Sequence, residues 1–471
     1  MEPSWYSILP PVLAIVLAVW SKQVVVSLFA GIWMGFTLLS GFNPLSGIAS
    51  SIDAVVQVFT DPGDARVLIF TLLIGSMIAT IEYSGGVRGF VRYLETRRWV
   101  HNGVRAQCLA WIIGIVIFIE SNITLLIAGA VCRPLFDRHR ISREKLAYLI
   151  DSTSAPVCVL IPLNAWGAVI IGLVQGVGIE NPLEVFIASI PLNLYAIIAI
   201  LLSALVIYRN FNFSQMQLAE NRTEAGQLTW PDATPMIDSP GFENVDHSDA
   251  EQPASAAYMA LPILAMLVMM PIGLLITGDG DLIQGSGSLA ILWAVIAGIV
   301  TSWVMLLAAG RASLNSLMQV FMKGAGNLLP IATILLLALT LGDVAKLLGT
   351  GPYLAGIAST AVPQVFLAPL VFLVAGLVAF SVGSSWGTFA IMIPIAIPIA
   401  TTLGLSVPLL LAAAISGGIF GDHASPISDT TVVASMASAT DHIDHVRTQL
   451  PYALTAGGLA VLGFLLLSFW A

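Results

Sequence analysis

Long apolar runs separated by short polar breaks dominate this chain of 471 residues. Many runs approach or exceed the roughly 18–20 residues that a helix needs to cross a bilayer. The runs lie at about 6–21, 24–41, 66–84, 104–120, 121–134, 147–178, 184–208, 258–278, 288–309, 327–348, 353–381, 385–402, 407–437 and 450–470. This pattern predicts an all-α polytopic membrane protein.

Composition supports the same class. The chain is 57% hydrophobic and only 10% charged, whereas soluble domains carry about 25% charged residues. It therefore has too few polar groups to cover a water-facing surface, which excludes a soluble globular protein. Its 41 glycines and 25 prolines fit membrane helices, which tolerate both residue types.

Several apolar runs cannot be single straight helices. Residues 104–134 would extend about 46 Å as one helix, although the hydrocarbon core is only about 30 Å thick. Polar residues 120–122 lie in the middle of this run. Prolines interrupt the runs at 147–178 and 407–437. These segments predict helical hairpins and interrupted helices.

Basic residues predict the orientation in the membrane. They cluster in the loops at 85–105 and 133–146, whereas the loops at 42–65 and 279–287 are mainly acidic. Because positive loops favour the cytoplasm, we expect the N-terminus outside and multiple spans in a bacterial inner membrane. The N-terminus lacks the basic region of a signal peptide, so residues 6–21 predict the first span.

The segment at 210–257 carries most of the net charge. It contains eight acidic residues and one basic residue, so it accounts for −7 of the total of −9. Its polar composition predicts a mostly disordered cytoplasmic linker between a first transmembrane repeat at 1–209 and a second at 258–471. The remaining chain is nearly neutral, so nothing indicates nucleic acid as a partner.

Polar motifs recur in the same order in both halves. Residues 118–124 precede the segment 151–156 in the first half, and residues 383–388 precede 422–426 in the second. Each second motif places an acid four or five residues before a proline. With the predicted orientation the halves enter the membrane from opposite sides. This arrangement predicts inverted-topology repeats, a plan of many secondary transporters.

The strongest polar constellation is GGIFGDHASPISDTT at 417–431. If the segment were one helix, Asp422, Ser425 and Asp429 would share a face. Pro426 would also leave the carbonyl of Asp422 without its helical partner. Because all these groups are oxygen ligands, they favour a hard cation. We predict a Na+ site at Asp422, Ser425, Asp429 and Ser384; a structural polar network is the alternative.

Other polar residues at the breaks complete the predicted site. Proton coupling is assigned to buried acids: Asp422, Asp429, Asp151 and Glu120. His423 is the candidate that tunes the neighbouring acid. Ion or substrate binding is assigned to Asn122, Thr124, Ser154, Asn164, Ser384, Ser385, Thr388, Ser425, Ser428 and Thr430. The alternative role of these side chains is to cap their own helix ends.

Three C-terminal motifs resemble a known family. The sequences SSWGT at 384–388, GDHASPISDTT at 421–431 and DHIDHV at 441–446 resemble the sodium/proton antiporters of the NhaC type. The resemblance implies a secondary transporter of inverted repeats with hairpins that exchanges Na+ for H+. The family also contains members that move amino acids or organic acids. The acidic segment at 210–257 is outside the resemblance.

The leading interpretation is therefore sodium/proton antiport by alternating access. A buried carboxylate can hold a proton or Na+ but not both, so competition at one site yields exchange. The alternative is Na+- or H+-coupled transport of a small organic solute, either an amino acid or a carboxylate. The chain lacks a nucleophile elbow, a phosphate loop and a cofactor fingerprint, so we expect no enzyme and no cofactor besides the transported ions. A homodimer is left open.

The motif at 441–447 has metal-like spacing of histidines and acids. It lies just before the last predicted span, at the expected cytoplasmic edge. We predict a hydrated turn there in preference to a transition-metal site.

Overall fold

The computed structural model describes residues 4–21, 23–86, 89, 102–118, 121–235, 255–280, 285–350, 353, 356 and 362–469. Within these ranges the regular structure is helical and no strand occurs. The side chain of Asp429 also lies outside the described part, although its backbone is described. The prediction of an all-α protein is confirmed.

The first part of the chain forms twelve numbered α-helices within the described ranges. They are α1 (Leu9–Ser21), α2 (Val24–Leu39), α3 (Pro44–Gln57), α4 (Pro62–Tyr83), α5 (Gly103–Val116), α6 (Ser121–Arg138), α7 (Arg143–Asp151), α8 (Ala155–Cys158), α9 (Ala165–Gly176), α10 (Pro182–Ser189), α11 (Leu194–Arg209) and α12 (Ser214–Glu224).

The second part forms nine further α-helices within the described ranges. They are α13 (Ala257–Thr277), α14 (Gly287–Ala308), α15 (Leu314–Asn327), α16 (Leu329–Leu347), α17 (Leu367–Val382), α18 (Ser385–Leu403), α19 (Val407–Ala424), α20 (Asp429–Ser438) and α21 (His442–Leu467).

The helices make this a multi-pass membrane protein. Eight described helices are long and apolar enough to cross a bilayer, and two bent helix pairs raise the number to as many as ten. The pair that joins α2 to α3 bends by 119°, and the pair that joins α10 to α11 bends by 42°. The predicted apolar runs therefore correspond well to helices.

Two amphipathic helices occupy segments without a predicted span. Helix α3 lies in the expected outer loop at 42–65, and α15 lies between two predicted spans. Asn43 caps α3 ahead of Pro44, and Ser313 forms a reciprocal capping box with Ser316 at the start of α15. Their apolar residues alternate with polar ones at helical spacing, so a search for continuous apolar runs misses them.

The predicted breaks occur where the polar motifs lie. Helix α5 ends at Val116 and α6 begins at Ser121. Helix α17 ends at Val382 and is capped by Gly383, whose positive φ of 70° suits a residue without a side chain. The run at 147–178 divides into α7, α8 and α9, and the run at 407–437 divides into α19 and α20. The halves thus share interrupted helices, as the sequence predicts.

Packing between the halves is reciprocal. Helix α6 of the first half packs against α20 of the second, and α18 of the second half packs against α9 of the first. Helices α17 and α19 approach closely, because a Cβ at Gly421 would lie only 2.0 Å from the carbonyl oxygen of Gly376. Small residues permit this kind of contact between membrane helices.

Residues 210–235 differ from the predicted disordered linker. Helix α12 packs against α7 and α21, and its Met216 is completely buried. Glu220 accepts a hydrogen bond from the Ser142 backbone at 2.8 Å, and Arg222 binds Glu144. Buried charge pairing, which composition does not reveal, orders this part. Residues 236–254 lie outside the described ranges.

Candidate functional site

Asp422 lies near the C-terminal end of α19 and is 2% exposed. Its Oδ2 accepts a hydrogen bond from the Ser385 hydroxyl at 2.6 Å. Ser385 is the first residue of α18, and a helix N-terminus favours a negative charge. The break before α18 therefore supplies a favourable partner for this buried carboxylate.

Asp151 is the last residue of α7 and is 1% exposed. Its Oδ2 accepts hydrogen bonds from Thr431 Oγ1 at 3.1 Å and Gln449 Nε2 at 2.7 Å. Its other oxygen, Oδ1, is buried and has no hydrogen-bond partner among the described residues. The first-half acid is thus held by second-half side chains and retains capacity to bind a cation or a proton.

His423 directly follows Asp422 in the chain and contacts Asp151. Its Nδ1 lies 2.7 Å from the Tyr195 hydroxyl, and its Nε2 lies 3.3 Å from Ser152 Oγ and 3.9 Å from Asp151 Oδ2. The amide of Gln449, already bonded to Asp151, also donates to the His423 carbonyl at 2.8 Å. One buried polar network therefore joins Asp151 to the segment that carries Asp422.

Two tryptophans meet beside this network. Trp166 follows the N-cap Asn164 of α9, and Trp386 follows the N-cap Ser384 of α18. Their ring centroids are 4.2 Å apart. Trp166 Nε1 is buried without a hydrogen-bond partner among the described residues. The two helix starts thus bring corresponding aromatic residues together from both halves.

The predicted helical face of Asp422, Ser425 and Asp429 is wrong. Helix α19 ends at Ala424, Ser425 is extended, and α20 begins at Asp429. The carbonyl of Asp422 accepts a hydrogen bond from the Ser425 backbone at 3.0 Å, so it is not free. Pro426 stops the helix, as expected, but the following turn satisfies that carbonyl.

Several predicted ligands satisfy local backbone groups. The Ser425 hydroxyl donates to the Phe380 carbonyl at 2.7 Å. Ser384 caps α18, and the Thr388 hydroxyl donates to the Ser384 carbonyl at 3.0 Å. These contacts match the capping alternative. The structure therefore brings the hydroxyl of Ser385, but neither that of Ser384 nor that of Ser425, into hydrogen-bond contact with the Asp422 carboxylate.

The remaining predicted residues lie around the breaks. Ser428 caps α20 and lies 3.1 Å from the Thr430 hydroxyl. Asn164 caps α9 and also donates to the carbonyls of Phe118 and Cys158 at 3.0 and 2.8 Å. The Thr124 hydroxyl donates to the Ile117 carbonyl, and the Ser154 hydroxyl donates to the Asp151 carbonyl. Asn122 is half-buried at the second position of α6. Glu120 and the side chain of Asp429 lie outside the described residues.

Sequence reasoning missed four side chains of the network: Gln449, Tyr195, Thr431 and Ser152. Gln449 and Tyr195 are buried polar residues within or at the start of apolar segments. Polar residues at membrane depth mark functional sites, so the sequence did indicate that these two residues were candidates. Their partners were not predictable, because Gln449 and Asp151 are 298 residues apart in sequence.

Buried carboxylates on broken helices of a membrane bundle define a secondary active transporter rather than an enzyme. The chain belongs to the Na+/H+ antiporter family, whose model matches residues 157–469. The predicted relation to sodium/proton antiporters is therefore confirmed at the level of this family. Assignment to the NhaC type stays a prediction.

Individual relatives agree with this assignment. A Haemophilus influenzae protein of unassigned function is 32% identical over 99% of this chain and 91% of its own length. The malate-2H(+)/Na(+)-lactate antiporter of Bacillus subtilis is 40% identical over 21% of this chain and 24% of its length. The arginine/ornithine antiporter ArcD of Halobacterium salinarum is 28% identical over 45% and 42%, respectively.

Two solved transporters share the fold. The YdaH transporter of Alcanivorax borkumensis aligns with a TM-score of 0.61 and 17% identity over 90% of this chain and 88% of its own. MtrF of Neisseria gonorrhoeae, described as an antimetabolite efflux pump, aligns with a TM-score of 0.58 and 14% identity over 89% and 84%. At these identities the likeness concerns the fold alone.

Proposed function

We propose that this transporter exchanges Na+ for H+ and that Asp151 and Asp422 are its coupling carboxylates. The observation that carries the proposal is the buried network that joins Asp151 of the first half to the segment that carries Asp422 in the second half. The ions are the cargo, and no cofactor is required. Residues in the described network come from both halves, which supports a single shared site.

The local charge balance supports cation binding. Among the described residues, the basic group paired with Asp151 is His423, whose Nε2 lies 3.9 Å from Asp151 Oδ2. A neutral His423 satisfies its contacts if the Tyr195 hydroxyl donates to Nδ1 and Nε2–H donates to Ser152. No full positive charge is then needed beside Asp151. A proton or Na+ that binds Asp151 would compensate its charge, which is costly at membrane depth.

Competition between these ions gives exchange. A bound proton removes the negative charge that attracts Na+, and Na+ disfavours the protonated acid. If the site opens alternately to the two sides, each ion leaves where the other is abundant. Reciprocal packing of α6 with α20 and of α18 with α9 supports the inverted repeats that such a mechanism uses.

A cleft of about 980 Å³ supports access from the side expected to face outward. Its walls include Asp61 and Ser286, which belong to or flank the loops predicted to lie outside, and it extends to Pro162 and Leu163. Leu163 precedes Asn164, the cap of α9. The cleft therefore reaches the first-half break that leads to the network.

The test is Na+-dependent proton movement in proteoliposomes. Asp151→Asn and Asp422→Asn keep the side-chain shape but remove the charge and the exchangeable proton, so each should reduce exchange by at least tenfold. Asp53→Asn, at an exposed acid, is the matched control and should retain wild-type exchange. Monodisperse gel filtration establishes that each variant is folded. Normal exchange by both folded site variants would disprove the assignment.

Coupled transport of an organic solute is the second candidate. The paired tryptophans favour it, and so does Nε1 of Trp166, which has no hydrogen-bond partner in the part of the chain that the structure describes. Planar apolar walls with a buried donor suit an organic molecule. The names of the Bacillus and Halobacterium relatives point in the same direction. Proton movement that requires an added amino acid or carboxylate, rather than Na+ alone, would select this candidate.

A further inference from the structure

The histidines of the 441–446 motif face the protein interior. Asp441 caps α21 as expected for a turn, but His445 is completely buried and His442 is half-buried. The predicted hydrated turn is therefore wrong for the histidines. Among the residues that the structure describes, no three metal-binding side chains cluster. Neither imidazole contacts Asp151 or Asp422 directly among the described residues, although His445 reaches the network through Gln449.

Hydrogen-bond partners determine one nitrogen of each ring. His442 Nε2 lies 2.6 Å from the Pro426 carbonyl, which only accepts, so this nitrogen carries a hydrogen. His445 Nε2 lies 2.9 Å from Gln449 Oε1. The Gln449 amide is oriented because its Nε2 faces two acceptors, Asp151 Oδ2 and the His423 carbonyl. His445 Nε2 therefore also carries a hydrogen.

The other two ring nitrogens meet at one hydroxyl. Nδ1 of His442 and Nδ1 of His445 lie 3.1 and 2.9 Å from Ser435 Oγ. The same hydroxyl lies 2.8 Å from the Thr431 carbonyl. A serine hydroxyl has a single hydrogen to donate. If both rings are neutral, at least one Nδ1 lone pair faces an oxygen lone pair.

One added proton supplies the missing donor between the two rings. With Nδ1 of one ring protonated, that ring donates to Ser435 Oγ. The hydroxyl can then turn from the Thr431 carbonyl, which lies within helix α20 and keeps its helical N–H partner, and donate to Nδ1 of the other ring. We propose that His442 and His445, bridged by Ser435, bind one shared proton at a site separate from the carboxylates. We call this site the histidine pair.

Nearby acidic groups favour the protonated histidine pair, whereas the burial of His445 favours the neutral form of its ring. Asp151 is linked to His445 through Gln449, and Asp441 and Asp444 lie on the same helix end. The charged groups and histidines on the surrounding described helices are Arg133, Asp137 and Arg138 on α6, Arg143, Glu144, Lys145 and Asp151 on α7, Arg209 on α11, Glu220, Arg222 and Glu224 on α12, Asp422 and His423 on α19, and Asp441, Asp444 and Arg447 at α21. Of these, Asp151 has the shortest hydrogen-bonded connection.

The link also acts in the other direction. A protonated His445 strengthens its donation to Gln449, which polarises the amide that donates to Asp151. The protonated pair thus stabilises the ionised form of Asp151, and this support is lost when the pair releases its proton. The effect on exchange depends on the proposed function, whereas proton binding by the histidine pair does not.

The direct test is 15N NMR of the full chain in detergent with labelled histidine, from about pH 5 to pH 8, where imidazoles titrate. In the wild type, His442 and His445 should titrate as one coupled pair that holds a single proton. His442→Gln, at the less buried position, should leave His445 neutral over the pH range in which the pair is charged. Ser435→Ala should separate the two titrations.

His139→Gln is the matched control and should leave the coupled titration unchanged. Neutral rings throughout the range, or titrations that are independent in the wild type, would overturn the proposal. In proteoliposomes, His442→Gln and His445→Gln should shift the pH midpoint of exchange equally, without further shift in the double variant. If the two histidines share a proton in the NMR titration but the wild type shows no Na+-dependent exchange, the histidine pair is supported and the proposed function is rejected.

Discussion

The ion pair between Arg222 and Glu144 should govern the attachment of helix α12. Its two hydrogen bonds are 2.7 and 2.9 Å long, and the side chains are only 3% and 1% exposed. Arg222 also donates to the carbonyls of Gln227 and Leu228 at 3.1 and 2.9 Å. The guanidinium therefore holds both the helix and the residues that follow it.

The expected magnitude follows from this burial. Two unit charges about 4 Å apart attract by about 4 kcal/mol at an effective dielectric constant of about 20. Removing one partner of a buried pair costs about 3–5 kcal/mol, because the other charge stays buried. Arg222→Gln should thus lower the opening free energy of residues 214–224 by about 3 kcal/mol, which is roughly a hundredfold increase in the open population.

Hydrogen–deuterium exchange of residues 214–224 in detergent measures this opening. Arg222→Gln and Glu144→Gln should each accelerate exchange, and the double variant should be less affected than the sum of the two. Asp137→Asn is the control, because its pair with Arg143 is 25% and 18% exposed and such pairs contribute about 0–1 kcal/mol. A coupling energy below about 0.5 kcal/mol between Arg222 and Glu144 would refute the reasoning.

Three further predictions concern packing, pH and topology. Gly421→Ala should destabilise the α17–α19 contact by about 1–3 kcal/mol, measured as a lower midpoint of detergent-induced unfolding; an unchanged midpoint would contradict the close approach. Desolvation raises the pKa of Asp441, but hydrogen bonds from Thr234 and from its own helix outweigh it and lower the pKa below 3.8. The ionised Asp441 therefore stabilises the protein above pH 3.8, and this stabilisation is lost as the pH falls through the lowered pKa of Asp441. The thermal-stability difference between wild type and Asp441→Asn should consequently shrink in acid. Ala49→Cys should react with an impermeant reagent in intact cells and Ala225→Cys only after permeabilisation; the reverse pattern would refute the predicted orientation.

The sequence predicts the bundle well because membrane helices must satisfy their backbone internally and remain apolar. Breaks were predictable where prolines and polar residues interrupt a run, as around Pro426. The amphipathic helices α3 and α15 were missed because half of their surface is polar. The order in residues 214–224 was missed because a buried pair such as Arg222–Glu144 has the same composition as a solvated acidic segment.

The site was predictable by residue type but not by partner. Asp151, Asp422 and His423 were identifiable as polar groups at membrane depth. The predicted helix face was wrong at Ser425, because a short turn replaces the continuous helix on which the spacing depends. Gln449 was identifiable only as a polar residue at the start of the run at 450–470, and its type does not reveal which distant acid it binds.

The hydrogen-bond partners of Asp151 are synthesised long after Asp151 itself. Thr431 and Gln449 follow it by 280 and 298 residues, so a ribosome completes the first half long before either donor exists. During that interval the nascent chain holds a carboxyl group whose burial is costly. We therefore expect the α7–α9 region to settle into its final depth only after α20 and α21 emerge. A chain truncated before residue 429 should remain a client of membrane chaperones and quality-control proteases.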